Sequence, residues 1–452
     1  MRQIRHFFNQ YRPLLLNGDF LKVIAAGLIS SIGSKISYFA LLRKVYIVSG
    51  GQITDLGFLA LVQMVPGMIL GPFVGVLVDR VPRKRIMILC DIVNGLVIGS
   101  LIFVNDLSII YFVAGISSLV TTFRYPAQGA LEPNLVEKSE IVLLNSFKAS
   151  SNSLIQVIGA AIGGATVGLL GVGKAFMVDA VTFFVSAAII MTLMVRETHM
   201  YEEDPDDAAD EAEGAIKKQW NAFKRGASVL AENVSVRMVF VINVFLNFAM
   251  AMQGMLIYYF LRETLQLGDR TEAFWGYLLS TLGVGGLVGS FILGVVIKRY
   301  ENRFELFLNV LLFDAIIFTG FLVNRFLPLS LLLFGLLGLT AAANQIIMNS
   351  ILQEEVEDRK RGRVFSLLGI IAGPVAAFSV FIGTTSAEYI TARNVLLLAA
   401  LAEALIAIGI RFTGSYRRAA QAARGAGGQG STVSAAPAGT GTSLGLSVED
   451  DG

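Results

Sequence analysis

The amino-acid sequence predicts an all-α membrane protein whose twelve transmembrane helices form two pseudo-symmetric six-helix bundles. Three observations predict this class. Hydrophobic residues make up 54% of the 452 residues and charged residues only 15%, whereas a soluble domain carries about 25% charge. Apolar runs of about 20 residues, long enough to cross a hydrocarbon core as a helix, recur along almost the whole chain. One long polar segment, residues 196–235, divides these runs into six before it and six after it.

Turn-forming stretches between the apolar runs set the helix boundaries. The N-terminal bundle, residues 1–195, contains predicted helices at residues 20–46, 53–78, 84–104, 107–128, 141–169 and 172–195. The C-terminal bundle, residues 236–412, contains predicted helices at residues 236–264, 272–297, 304–324, 326–350, 362–386 and 390–412.

The polar segments flank and divide these bundles. The central loop, residues 196–235, begins with the acidic run "YEEDPDDAADEAEGA". The basic stretch that follows, "IKKQWNAFKRGASVLAENVSV", predicts an amphipathic helix on the membrane surface. Residues 413–452 have the composition of a disordered tail, and we assign them no function.

The distribution of basic residues predicts the orientation. With the N-terminus in the cytoplasm, Lys and Arg of the inner segments outnumber those of the outer segments by roughly four to one. The outer segments contain Arg43, Lys44, Lys174, Arg262, Arg270, Arg325 and Arg393. We therefore expect a multi-pass protein of the bacterial inner membrane with both termini cytoplasmic. The basic, aromatic opening of the chain lacks the features of a cleaved signal peptide, so we expect it to be retained.

Several function classes find no support. Cys90 is the only cysteine, which argues against an intramolecular disulfide and a thiolate metal cluster. The net charge of +2 is too small to suggest a nucleic-acid partner. The sequence contains no Walker A run, no HExxH and no GxSxG, and His6 and His199 lie outside the predicted helices. We expect no enzyme activity, no metal and no cofactor.

The stretch "GVLVDRVPRKR", residues 75–85, joins the second and third helices. Its basic residues anchor the inner membrane face, and Pro82 ends the second helix. Its motif residues are Gly75, Asp79, Arg80, Arg83 and Lys84. They resemble the loop signature of the major facilitator superfamily, G-x-x-x-D-R-x-G-R-R/K, with Pro82 in place of glycine. The resemblance implies the major facilitator fold and a conformational latch between the bundles; anchoring alone is the alternative.

Two helix motifs are similar to antiporter signatures of the same family. The stretch "GAAIGG" in the fifth helix resembles G-P-x-x-G-G with alanine in place of proline, and the eleventh helix contains "GPVAA". The residues concerned, which we interpret as helix-packing positions, are Gly159, Gly163, Gly164, Gly373 and Pro374. "SSIGSKISYFAL", "YPAQGALEPNLV" and "RKRGRVFSL" resemble the bacterial branch that includes macrolide-efflux proteins and the enterobactin exporter. Members of that branch export drugs, siderophores or lipids, usually against inward proton flow.

Polar groups within the predicted spans are candidates for substrate or proton binding, since a charge at mid-membrane costs roughly 2.5–3.5 kcal/mol. They are Ser34, Lys35, Tyr38, Asp91, Asp179, Asn243, Asn247, Gln253, Asp314 and Glu403. Lys35 either favours an anionic substrate or neutralises an acid. Asp91 is better explained as structural. The helix-seven amides either bind substrate or join helices, and acids in peripheral helices suggest helix–helix hydrogen bonds first.

The resemblance implies alternating-access export of an amphipathic small molecule, driven by proton antiport, by a monomer in membrane lipid. Two alternatives stay open: a lipid or lysophospholipid flippase of the same fold, and a non-transporting sensor or scaffold. Two departures leave a standard proton relay without support. Tyr111 precedes Gly115 by four residues, where drug antiporters often have arginine, and Asn94 stands three residues after Asp91, where relatives often have arginine.

Overall fold

A computed structural model describes residues 14–194, 214, 220–221, 223–224, 226–231, 233–296, 300, 302–356 and 358–412. Within its helices, the description leaves out the side chains of Pro72, residues 75–77, Asp79, Arg80, Ser235, residues 293–296 and residues 358–359. The predicted tail, most of the central loop, the surroundings of Gly75, and the side chains of Asp79 and Arg80 therefore lie outside the described part. The described chain is helical and contains no strand.

Six long helices precede the central loop. They are α1 (Gly18–Val48), α2 (Ile53–Arg80), α3 (Arg83–Ser100), α4 (Leu107–Leu131), α5 (Ile141–Leu154 and Ala160–Leu170, joined by the π-helical turn Ile155–Gly159) and α6 (Val172–Met191). Side-chain caps fix where several of them begin. Asn17 accepts a hydrogen bond from the backbone amide of Phe20, and Asp106 accepts one from the backbone amide of Ile109. Pro82 separates α2 from α3, as predicted.

Six more follow the loop. They are α7 (Val234–Tyr259, extended by the π-helical turn Phe260–Thr264), α8 (Thr271–Val296), α9 (Arg303–Val323), α10 (Leu327–Glu355), α11 (Asp358–Ile390) and α12 (Ala392–Arg411). In the loop itself, the described residues are helical apart from Asn233. Trp220 stacks on Phe223, and Gly226 packs against Leu367 of α11, so this part of the predicted amphipathic helix docks on the C-terminal bundle.

Eleven of the described helices are long and apolar enough to cross a membrane. The exception, α3, is only 18 residues long, so Arg83, Lys84, Arg85 and Asp91 all fall within its single possible window. Arg83, Lys84 and Arg85 lie at the membrane face, and Asp91 forms a buried ion pair with Arg124. The fold class is confirmed: twelve helices, in the arrangement predicted from the sequence.

The packing pattern repeats six helices later. In the N-terminal bundle, α1 packs on α5 and α6, α2 on α4, and α3 on α4 and α6. In the C-terminal bundle, α7 packs on α11 and α12, α8 on α10, and α9 on α10 and α12. The two bundles meet through α5 with α8 and through α2 with α11, which are again pairs related by the same repeat. This is the pseudo-symmetry predicted for inverted or parallel repeats of a transporter.

The two ends of the molecule differ in how the bundles contact each other. The near face is where α1 begins at Gly18, and the far face is where α1 ends at Val48. Successive helices alternate in direction, so the central loop lies at the near face. The hydrogen bonds and ion pairs in which both partners are described and belong to different bundles lie from mid-height to the far face; Arg83, Lys84, Lys360 and Arg361 at the near face have further interactions with residues outside the described part. The far end of the bundle interface is therefore closed.

Candidate functional site

Glycines bring α5 close to both α1 and α8. A methyl group added to Gly163 would lie 2.8 Å from the backbone oxygen of Lys35, and one added to Gly159 would lie 3.2 Å from the Cγ of the same residue. On the other side, a methyl group on Gly164 would overlap the backbone carbonyl of Glu272 in α8. The motif predicted from sequence therefore lies where α5 is wedged between the two bundles.

The π-helical turn of α5 places Gln156 in this wedge. One neighbour, Val157, accepts a 2.5 Å hydrogen bond from Ser280 of α8 through its carbonyl. The side of α5 that carries Leu154, Ile158 and Ile162 is exposed and apolar, as expected for a lipid-facing surface. Gln156 is also exposed but polar and lies on the opposite side. It therefore faces the space between the bundles.

A polar stripe continues from Gln156 to the near face. At helical spacing along α5, Asn145, Ala149 and Asn152 share the side of Gln156, and all four residues are exposed. Exposed amides are costly against lipid but favourable against water. The stripe therefore indicates a water-filled space between the bundles that opens at the near face.

Lys35 lies at the end of this space that is farthest from the near face. Its ammonium group donates a 2.9 Å hydrogen bond to the side-chain oxygen of Gln156. The predicted alternative, that Lys35 neutralises an acid, finds no support among the described residues, where it forms no ion pair. Of its predicted neighbours, Ser34 donates to the carbonyl of Ser30 within its own helix, and Tyr38 packs edge-on against Phe39.

A cluster of charges, here called the far-face clasp, joins the bundles at the far face. It centres on Glu272 of α8, whose side chain is fully buried. The carboxylate accepts hydrogen bonds from Tyr258 at 2.8 Å and Arg262 at 2.9 Å, both in the C-terminal bundle. Arg43 of α1 approaches it to 3.5 Å and also donates to Asp269 at 2.6 Å. The clasp therefore spans the two bundles.

Two further contacts reinforce this closure. Tyr46 of α1 donates to Glu263, and the guanidinium of Arg262 lies 4.3 Å from the centre of the Tyr46 ring. Thr54 at the start of α2 donates to Glu388 near the end of α11 at 2.6 Å. The sequence predicts Arg43 and Arg262 only as outer basic residues and gives no sign of the clasp, because Arg43 is more than 200 positions away from the other members in the chain.

Asp91 is the centre of a buried network in the N-terminal bundle. Its carboxylate accepts hydrogen bonds from Arg124 at 2.8 Å and Ser186 at 2.6 Å. Arg124 also donates to Gln128, which donates to Glu132, and Glu132 pairs with Lys148. Arg124 of α4 thus supplies the cation for Asp91, where relatives often have an arginine at the position of Asn94. Arg124 and Glu132 are not among the candidates predicted from the sequence, because they lie near the predicted inner end of the fourth helix.

Asp179, Asp314 and Glu403, which lie within membrane-spanning helices, have no basic partner among the described residues. Asp179 of α6 accepts from Thr182 at 3.2 Å, and its second oxygen is buried without a hydrogen bond. In the C-terminal bundle, Asp314 of α9 accepts from Thr340. Glu403 lies on α12, which packs on α9, and one of its oxygens is buried without a hydrogen bond.

The remaining predicted residues occupy several places. Asn243 of α7 donates to the sulfur of Met348 in α10, and so joins these two helices. Asn247 donates to the carbonyl of Asn243 at 2.8 Å, within α7 itself. Gln253 is half-buried on α7. A methyl group on Gly373 would lie 3.1 Å from Met68, where α11, which also carries Pro374, packs on α2.

The described part of the latch motif binds its own bundle. Arg83 donates to the carbonyl of Ala130 at 3.2 Å, and Lys84 donates to the carbonyls of Met191 and Leu193. These contacts tie the start of α3 to the near-face ends of α4 and α6. Among the described residues, no group of acids, histidines and cysteines could hold a metal ion.

Comparison with known protein sequences gives a consistent result. The sequence model of the Major Facilitator Superfamily matches residues 23–380. An uncharacterized transporter of Bacillus subtilis, YfiS, is 25% identical over 47% of this chain and 51% of its own length, so the chain spans about half of that relative. The putative bacilysin exporter BacE of Bacillus subtilis is 26% identical over 75% of this chain and 82% of its own. Macrolide efflux protein A of Streptococcus pyogenes is 23% identical over 86% of this chain and 94% of its own length.

Solved structures show the same fold. A point mutant of the nucleoside transporter NupG superposes with a TM-score of 0.68 and 11% identity over 87% of this chain and 99% of its own. A bacterial homologue of the iron transporter ferroportin in an inward-facing state superposes with a TM-score of 0.65 and 14% identity over 88% of this chain and all of its own. The arrangement of twelve helices is therefore one that known transporters adopt.

Proposed function

The chain belongs to the Major Facilitator Superfamily and is a membrane transporter, and from this premise we propose that it exports an amphipathic small molecule from the cytoplasm by proton antiport. The observation that carries the proposal is the pairing of a clasped far face with a polar space open at the near face. A transporter in this state is ready to accept a substrate from the near side. Rocking of the two bundles about the middle of the membrane would then release it at the far side.

The orientation and the direction rest on separate support. The excess of basic residues at the near face supports placing that face, both termini and the central loop in the cytoplasm of a bacterial cell. Two of the relatives are named for export, one of bacilysin and one of macrolides. Those names support export here and leave the molecule exported by this chain to experiment.

The contrast among the buried acids supports proton coupling. Asp91, Glu132 and Glu272 are paired with arginine or lysine, so protonating any of them would break a buried ion pair. Asp179 and Glu403 each have one buried oxygen without a hydrogen bond and no ion pair among the described residues. Such groups can gain and lose a proton without that loss, and we propose them as the coupling residues.

Proton flux in proteoliposomes tests this function. A pH-sensitive dye is enclosed, a proton gradient is imposed, and macrolides, siderophores, cationic dyes and lysolipids are added in turn. We expect at least one amphipathic compound to move and to release protons as it does so. Glu403→Gln and Asp179→Asn should reduce proton release, whereas Asp106→Asn should not, because asparagine also caps α4.

Each other outcome has a definite meaning. Movement of lysolipids alone would favour a lipid transporter of the same fold. Movement of a compound without proton release would exclude antiport while leaving export intact. If no compound moves, the export proposal is wrong.

A further inference from the structure

Lys35 is half-buried and differs from the arginines that pair with buried acids; the buried Lys44 of the same helix also has a neutral acceptor, the carbonyl of Leu101, but lies at the closed far face. Arg124 pairs with Asp91, and Arg43 and Arg262 pair with Glu272. The ammonium of Lys35 instead has a neutral acceptor, the amide oxygen of Gln156. An ammonium group has three donors, so donors remain for a further ligand. A cation within a membrane that lacks a fixed counter-charge is costly to keep and is a functional candidate by default.

The position of this lysine is reachable from the near face. Gln156 lies between the side of α5 that packs on α1 and the side that packs on α8, opposite the exposed apolar side. The exposed amides of Asn145 and Asn152 lead from the near face to Gln156. The pair Lys35–Gln156 therefore ends a polar path that begins at the near face, at the height where the two bundles meet.

The local backbone is specialised to bring these two side chains together. The π-helical turn Ile155–Gly159 changes the direction of the side chain of Gln156, and π-helical turns occur frequently at functional sites. Gly159, at the end of that turn, leaves room for the stem of Lys35: a methyl group there would lie 3.2 Å from the lysine Cγ. The closest part of the helix crossing is thus built around this lysine.

We propose that Lys35 and Gln156 bind the anionic group of the transported molecule, a carboxylate, sulfonate or phosphate carried by an amphipathic body. This inference rests on the proposed export function and names the substrate class of the same space. The ammonium supplies the charge, and the amide of Gln156, which can both donate and accept, orients the ammonium and adds a hydrogen bond. A molecule without an anionic group would displace water from the ammonium without supplying a charged partner, and would therefore bind more weakly.

Binding of three matched fluorescent probes to the detergent-solubilised protein tests the inference. The probes are dansylglycine, dansylglycinamide and dansyl-ethylenediamine, which share one apolar body and carry a negative, no and a positive charge. We expect the anion to bind about 10- to 100-fold more tightly than the neutral amide, the range for a charge-assisted hydrogen bond. Lys35→Gln should remove that difference, and Lys35→Arg should keep most of it.

Lys22→Gln is the matched control. It removes a lysine from the same helix at the near face, where Lys22 pairs with Asp19, and should leave the preference for the anion unchanged. Thermal unfolding of each variant confirms that it is folded. Displacement of the bound anion by lysophosphatidylglycerol but not by lysophosphatidylcholine would identify the anionic group as a lipid headgroup, and displacement by a soluble anionic amphipath alone would identify a soluble substrate; both support the site.

Two results would overturn the inference: equal affinity for the three probes in the unchanged protein, or a preference for the anion that persists in Lys35→Gln. Binding in detergent measures the anion site, and movement of compounds in proteoliposomes measures export. An export activity that favours neutral or cationic compounds would therefore reject the anion site and retain the proposed function. Absence of any transport, together with tight anion binding at Lys35, would reject the proposed function and retain the anion site.

Discussion

Replacing Arg43 with glutamine should open the far face. Arg43 is the only member of the far-face clasp from the N-terminal bundle that forms ion pairs with described residues of the C-terminal bundle. Glu272 keeps Arg262 and Tyr258 when Arg43 is lost, so the substitution leaves no isolated buried carboxylate. The variant should therefore fold normally and differ in how easily the bundles separate.

The two ion pairs of Arg43 are unequal. The side chain of Asp269 is 82% exposed, and a surface pair contributes about 0–1 kcal/mol. The side chain of Glu272 is fully buried and that of Arg43 only 15% exposed, and close charge pairs across an interface have coupling energies of about 1.5 kcal/mol or more. We expect Arg43→Gln to shift the equilibrium toward an open far face by about 2–3 kcal/mol, which is a change of roughly 30- to 150-fold.

Distances between spin labels measure this shift. Phe103 and Tyr389 are exposed residues of the far face, one in each bundle; each is replaced by a labelled cysteine after the native Cys90 has been changed to alanine. Lys174→Gln is the control, because it removes an exposed far-face charge outside the clasp. The reasoning is refuted if Arg43→Gln leaves the population with long distances unchanged, or if the control raises it equally.

Two further predictions concern packing in the membrane. Arg124→Gln leaves the fully buried Asp91 without its cation and should lower the free energy of unfolding by about 3–5 kcal/mol, measured by thermal unfolding. Adding Asp91→Asn should restore part of the loss. A double variant as unstable as the single one would contradict the pairing. Gly164→Ala places a methyl group against the carbonyl of Glu272 and should weaken far-face closure in the spin-label assay, whereas Gly168→Ala meets Ala273 at an ordinary 3.5 Å and should not. Equal behaviour of the two alanine variants would argue against the close α5–α8 contact.

The sequence was sufficient for the helices because lipid imposes a simple rule on them. Apolar length and the turns between runs located every one of the twelve, and the boundaries of α2, for example, differ from those predicted by two residues or fewer. Some of the largest differences occur where polar residues extend a helix beyond the apolar run. Thus α11 begins at Asp358 rather than 362, because its basic first turns remain helical at the membrane face. By contrast, α3 and α6 end before their predicted ends, at Ser100 and Met191.

The site was only partly predictable, since its partners are brought together by tertiary packing. Lys35 could be singled out because a lysine within a membrane span is unusual, but nothing in its local sequence indicates Gln156, 121 positions away. The π-helical turn that orients Gln156 leaves no signal in hydrophobic periodicity. The same holds for Asp91 and Arg124: each is visible as a charge, and only the packing of α3 on α4 makes them a pair.

The triangle of α1, α5 and α8 connects the proposed anion site to the far-face clasp. Lys35 and Arg43 are eight residues apart on α1, which corresponds to about 12 Å along a helix. Glu272 contributes its backbone to the contact with Gly164 of α5 and its side chain to the clasp with Arg43. Because helices are stiff over this distance, we expect a ligand that changes the spacing of α1 and α5 at Lys35 also to change the geometry of α8 at Glu272. Substrate binding and far-face opening would then be linked through one crossing of three helices.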